Sequence, residues 1–195
     1  MISHGKKFIF IHVPKTGGNS ITENIAVDSE DTYFDNVLHN GVMLTEVKND
    51  LHPNLTKHSS LAEYREAYPE ATDYLVFGVR RNPWDRAMSH FLFARPPEQV
   101  SEAEFLAFLP QEFRPMEMFA PLGEIRWLDF DRLDEEFHKL VLETDWNANP
   151  RLTRVNAGTN SPALLPWSCR MVQEVATICQ AEIAFFKYSA PKEIP

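Results

Sequence analysis

Cysteine is scarce in this chain: only Cys169 and Cys179 occur among 195 residues. Both fall in a stretch that reads as helix, where ten residues of rise set them about 15 Å apart, out of disulfide reach. There is no Cys-x-x-Cys pair, so the sequence offers neither a redox motif nor a cysteine-based metal site. Long apolar runs are also missing. The longest near the N-terminus, Phe8 to Val13, is too short to span a bilayer and is followed by no signal-type cleavage region, so no membrane span is expected and the chain reads as soluble. Basic residues are in the minority, 19 Lys and Arg against 28 Asp and Glu, for a formal charge of −9. Such a chain repels polyanions at long range, which argues against nucleic acid as a partner unless a local basic patch overrides the average.

What is present is enough apolar material, 44% of residues, for one ordinary core, and there is no repeat, low-complexity tract or linker. Residues 1–195 therefore read as a single domain. Lys7 to Val13 is mostly apolar and β-prone, as in a strand buried on both faces. After the break at Pro14 to Gly18, Ile21 and Ile25 return at helical spacing within Asn19 to Val27. From Asp28 to Pro53 the chain is polar without a sustained period, which predicts loop with at most a short helix. Ser60 to Glu63 has the form of a capping box opening a helix that ends before Pro69. Asp73 to Val79 is a second strand, and Asn82 with Pro83 can cap and open a helix running to about Ala94. A helix over Glu102 to Leu109 follows Ser101. Ile125 to Phe130 reads as a third strand, Leu133 to Leu142 as an amphipathic helix, and Ser168 to Phe186 as one long closing helix. Strands alternating with helices predict an α/β fold with a three-layer parallel sheet flanked by helices, ligands binding at the carboxyl ends of the strands.

Two strand-to-helix junctions carry the chemistry. His12-Val13-Pro14-Lys15-Thr16-Gly17-Gly18-Asn19-Ser20 places two glycines and a lysine where backbone N–H groups can close around an anion at a helix start. In G-x-x-x-x-G-K-[ST] the lysine follows the glycines; here Lys15 precedes Gly17-Gly18, so this is not that motif. A tight turn with a surface lysine is the plain alternative. The second junction, Arg80-Arg81-Asn82-Pro83-Trp84-Asp85-Arg86-Ala87-Met88-Ser89-His90, offers a guanidinium fork at a strand end and a hydroxyl, Ser89, two turns into the helix. Arg86 and Asp85, three and four residues before Ser89, read as a surface ion pair or as support for the site.

These paired blocks, Phe10 to Ser20 and Val79 to His90, resemble the 5′-phosphosulfate and 3′-phosphate motifs of sulfotransferases that act on carbohydrates and related acceptors. Lys57-His58-Ser59-Ser60, Phe130-Asp131-Arg132-Leu133 and Glu182 to Tyr188 resemble, in order, further segments of small bacterial, family-2-like members. The resemblance implies a P-loop, nucleotide-kinase-like sulfotransferase fold and a donor, 3′-phosphoadenosine 5′-phosphosulfate (PAPS), used without a metal and released as adenosine 3′,5′-bisphosphate. By position, Lys15, Thr16, Gly17, Gly18, Asn19 and Ser20 would hold the 5′-phosphosulfate, and Arg81 and Ser89 the 3′-phosphate. Asn19 stands where threonine is common. The loop Asn156 to Asn160 corresponds to a region that closes over the nucleotide in relatives, although it is poor here in basic residues. The implied acceptor is a hydroxyl on a carbohydrate or small molecule.

Sulfuryl transfer builds charge on the departing oxygen, for which Lys15 is the candidate stabiliser, and it needs a base for the acceptor hydroxyl. Among seven histidines, His58 leads because a helix N-terminus disfavours imidazolium. His52 and His39 are substitutes, and His12 reads as a strand-end residue orienting the loop. A P-loop-like ATP-dependent kinase and a non-catalytic nucleotide-binding relative stay open as alternatives. The kinase would need an acidic Mg²⁺ partner at a strand end.

Overall fold

A computed structural model describes residues 1–39, 42–49, 51–93, 95, 97–152 and 165–192, with side chains at 32–47 and 97 outside the description. The elements run β1 (Ile2–Ser3), β2 (Phe8–Ile11), α1 (Gly18–Ile25), β3 (Thr32–His39), β4 (Val42–Lys48), α2 (Leu61–Ala67), β5 (Leu75–Arg80), α3 (Pro83–Phe91), α4 (Glu102–Glu112), β6 (Arg126–Asp129), α5 (Leu133–Glu143), α6 (Cys169–Ile178) and α7 (Gln180–Phe186). The class is mixed α/β. Four strands form a mostly parallel sheet in the order β1-β2-β5-β6.

Strand β2 is apolar at every position because both of its faces are covered. Phe8 and Phe10 pack with Phe77, Val79, Ile21, Ile25, Phe137 and Leu140, that is, with α1 and α5. Ile9 and Ile11 pack the other way with Leu61 and Tyr64 of α2 and with Met116 and Phe119. Helices thus flank the sheet on two faces, and the strand ends point the junctions β2–α1 and β5–α3 the same way, since β2 and β5 are parallel. A third apolar cluster joins α3, α4 and α6 through Phe91, Phe105, Phe108 and Met171.

The sequence expectations need six corrections. The sheet is not wholly parallel: Ile2–Ser3 pairs antiparallel with β2 after a tight turn in which Lys7 adopts a positive φ of 51°. The polar stretch after Asp28 is not loop but a two-stranded antiparallel hairpin, β3–β4, whose register shifts between Asp35 and Val37. A bulge of this kind hides the two-residue alternation that marks a strand. Helix α3 stops at Phe91 rather than Ala94, and α4 continues past Leu109 through Pro110 to Glu112. The closing helix is two helices, because the backbone leaves helical angles at the buried Cys179 and re-enters at Gln180. Finally, Arg86 is no surface residue. It is 1% exposed, bonded to Glu182 at 3.0 Å and to the carbonyl of Arg114 at 2.9 Å, and it lies 4.4 Å from the Phe113 ring centroid.

Two capping signals hold. Ser60 and Glu63 form the reciprocal capping box of α2, and Asn82 caps α3 with Pro83 in its first turn. Cys169 and Cys179 are unbridged. Among the described residues no helix is long and apolar enough to cross a membrane.

Candidate active site

The β2–α1 loop is made by backbone conformation. Lys15 and Gly17 both take positive φ, 65° and 79°, and the buried Thr16 hydroxyl donates to the carbonyl of Val13 at 2.8 Å, folding the loop onto itself. Gly17 serves as N-cap of α1 without any side-chain cap, and the first turn of α1 carries no acid. No side chain therefore caps the N–H groups of Gly18 and Asn19 at the positive end of the helix. Gly18 is required for another reason: a Cβ there would sit 2.2 Å from Cδ2 of His12, whose buried ring packs beneath it. A methyl at Gly17 would face both the positive φ and the Leu133 side chain at 3.0 Å. Asn19 is half-buried in the first turn of α1, and Ser20 is buried with its N–H on the Gly17 carbonyl at 3.1 Å.

The two junctions meet. Arg81 donates from its guanidinium to the carbonyl of Lys15 at 2.9 Å and lies 4.1 Å from the ring centroid of Phe130. Its Nε is buried without a partner among the described residues. Burial pulls its pKa down, while Asp85 and Asp131 oppose that pull. Arg80, its neighbour, is occupied otherwise, paired with Asp129 at 2.5 Å under the rings of Phe186 and Tyr188. Ser89 is half-buried on α3.

Lys15 is the most telling group. Its Nζ lies 3.8 Å from the ring centroid of Phe93, and no acid among the described residues forms an ion pair with it. Burial, then the charges of Arg81 and Lys57, lower its pKa to about 8. In a chain of net charge −9, three cations converge at one loop, and an ammonium both desolvated and flanked by like charge is stabilised by an arriving anion.

His58 stands beside this cluster. Its Nδ1 lies 2.9 Å from the carbonyl oxygen of His12. A carbonyl can only accept, so Nδ1 carries the proton and Nε2 presents a lone pair. The ring stands edge-on to that of His12, with centroids 4.8 Å apart. Burial lowers the His58 pKa to about 4; the bond to the His12 carbonyl acts against this and the Lys57 charge with it. His12 is held neutral still more firmly, by burial first and by the charges of His58 and Lys57 next. Of the substitutes, His52 packs edge-on against Tyr68 at the C-terminal end of α2, with centroids 4.5 Å apart. The His39 side chain lies outside the described residues, as does the loop Asn156 to Asn160.

Sequence reasoning overlooked His90. It stands edge-on to Phe108 with centroids 5.2 Å apart, and its pKa falls to about 4 through burial and then the charges of Arg86, Lys15, His58 and Arg95. Its position directly after Ser89 on α3 was the available clue. Among the described residues no group of three His, Cys, Asp or Glu side chains gathers to hold a metal ion.

Compared with known proteins, residues 1–163 match the model of a family described as "Sulfotransferase family". No curated protein matches the chain, and no solved structure does.

Proposed function

We propose, since this chain belongs to the sulfotransferase family, that it transfers the sulfuryl group of PAPS to a hydroxyl of a carbohydrate or small molecule. The observation that carries this reading is Lys15, a desolvated ammonium beside Arg81 at an uncapped helix start. The unpartnered Nε of Arg81 fits the same need. The proposal extends to a nucleotide-kinase-like fold, to residues 1–195 as one domain and to catalysis without a metal.

When bound, the donor supplies an activated sulfuryl group. Thr16, Gly17, Gly18, Asn19 and Ser20 would hold its 5′ end against the helix start, and Arg81 and Ser89 its 3′-phosphate. Lys15 stabilises charge on the departing oxygen. His58 Nε2 takes the proton of the acceptor hydroxyl. A free imidazole of pKa about 4 is a weak base, but an anion bound nearby favours imidazolium and raises that value toward the working range. A kinase reading fares worse: the strand-end acid it needs is Asp129, which is already held by Arg80 and accepts the N–H of Asp131.

Calorimetry tests the donor. Adenosine 3′,5′-bisphosphate should bind at least tenfold more tightly than AMP or ATP, as a charge-assisted contact to one further phosphate implies. Equal affinity for AMP and the bisphosphate would remove the 3′-phosphate role of Arg81 and Ser89. Radiolabelled PAPS offered to a panel of hydroxylated acceptors then tests the transfer.

A further inference from the structure

We infer that Phe93 is a positioning residue for Lys15, its ring holding the ammonium in place for the donor; this rests on the proposed donor-binding role of Lys15. Lys15 is gripped at both ends by residues that flank α3. Just before its N-cap, Arg81 holds the Lys15 carbonyl at 2.9 Å; just beyond its end, the centroid of the Phe93 ring lies 3.8 Å from Nζ. That distance is well inside the range in which a ring face attracts a cation. Phe93 itself is fixed by its N–H on the carbonyl of His90 at 3.2 Å, and α3 is anchored there by Phe91, which packs edge-on to Phe105 with centroids 5.2 Å apart.

The ring has no other use in the described structure. Phe93 belongs to none of the three apolar clusters, whereas its neighbours Phe91 and Leu92 are buried in one of them. A lysine side chain ordered in advance loses less rotamer freedom when its ligand arrives. The backbone of Lys15, at a positive φ of 65°, is in an unfavoured conformation, with its carbonyl held by Arg81. An ammonium uses one side toward the ring and keeps N–H donors for the donor's oxygens, so the contact assists binding instead of competing with it.

The test compares Phe93→Leu and Phe93→Trp with the unaltered chain, reading Lys15 by NMR, bisphosphate affinity by calorimetry, and turnover of radiolabelled PAPS with water as acceptor. The Cε protons of Lys15 should be displaced upfield by the ring, and Phe93→Leu should abolish that displacement. Turnover in Phe93→Leu should drop about tenfold with bisphosphate affinity within about threefold, while Phe93→Trp, the stronger cation–π face, should retain both. An unaltered chain with undisplaced Lys15 signals would overturn the inference. So would Phe93→Leu with full turnover, or with turnover, affinity and melting temperature falling together. If the unaltered chain does not bind the bisphosphate, the donor reading fails and this inference with it; if it binds normally and Phe93→Leu behaves identically, only this inference fails.

Discussion

The two strand-to-helix junctions bind, on our reading, two ends of one ligand, yet they are built on opposite plans. At β2–α1 the helix start is open: Gly17 caps without a side chain, no acid occupies the first turn, and the loop owes its shape to two positive-φ residues. At β5–α3 the helix start is closed. Asn82 accepts the Trp84 N–H at 3.1 Å, Pro83 has no N–H to offer, and Asp85 adds a negative charge to the first turn. A closed helix end cannot receive an anion through its backbone, so the second junction must recognise through side chains, Arg81 and Ser89. On the proposed reading the first junction therefore holds the reacting end, with backbone and lysine, and the second is an anchor. Substitutions should separate accordingly, rate at the first and affinity at the second.

The largest effect belongs to the base, which hangs from the first junction by the His12 carbonyl. His58→Ala should lower turnover by about 10²–10⁴-fold with bisphosphate affinity nearly unchanged. Turnover that survives, or that falls only in step with melting temperature, would remove His58 from the mechanism and bring His90 forward.

Next comes Lys15→Ala, expected to lower turnover about 10²–10³-fold in a protein that melts normally. The pH profile sharpens this. His58 must be neutral, so kcat/KM should be lost as pH falls through about 4; Lys15 must be charged, so it should be lost as pH rises through about 8. Lys15→Arg keeps the charge and should abolish the alkaline limb alone. An alkaline limb that persists in Lys15→Arg would assign it to another group.

At the anchor, Arg81→Ala should weaken bisphosphate binding about 10- to 100-fold, the worth of a charge-assisted contact, while AMP, which lacks the 3′-phosphate, loses little. Arg81 also holds the Lys15 carbonyl, so some loss of rate should accompany it. Equal losses for both nucleotides would place Arg81 at the first junction only.

The contrast between junctions was partly written in local sequence. Asn82-Pro83 and Ser60-x-x-Glu63 are signals two and four residues long, and both appear where the chain needs them. Gly17-Gly18 after an apolar strand marked the open loop for the same reason. What could not be read were contacts between distant residues. Arg86 looked solvated because its partner, Glu182, lies 96 residues away on α7. The proton on His58 Nδ1 is fixed by a backbone oxygen 46 residues earlier, invisible to any pattern of side chains. The Phe93 ring beneath Lys15 depends likewise on α3 ending beside the loop. The hairpin is different, because its signal was present: Asn40-Gly41 separates Thr32–His39 from Val42–Lys48 in the sequence, a dipeptide favoured in two-residue hairpin turns. The polar residues Asp35 and Asn36 at the register shift masked the alternation on one side.

The smallest expected effect tests the closed plan itself. Asn82 does two jobs: its Oδ1 accepts the Trp84 N–H and its Nδ2 donates to the carbonyl of Ser189 at 3.2 Å. Asn82→Ala removes both and should cost about 1 kcal/mol of unfolding free energy, the usual worth of an N-cap. Asn82→Asp keeps the capping acceptor and loses only the exposed tie to Ser189, so urea unfolding should leave it close to the unaltered chain. Bisphosphate affinity should stay within about twofold for Asn82→Ala, because the cap serves the helix and not the ligand. A tighter complex in Asn82→Ala than in the unaltered chain would mean that uncapping α3 frees an N–H for the phosphate. The second junction would then be a backbone site held shut by its own cap, and the division into a reacting end and an anchor would have to be redrawn.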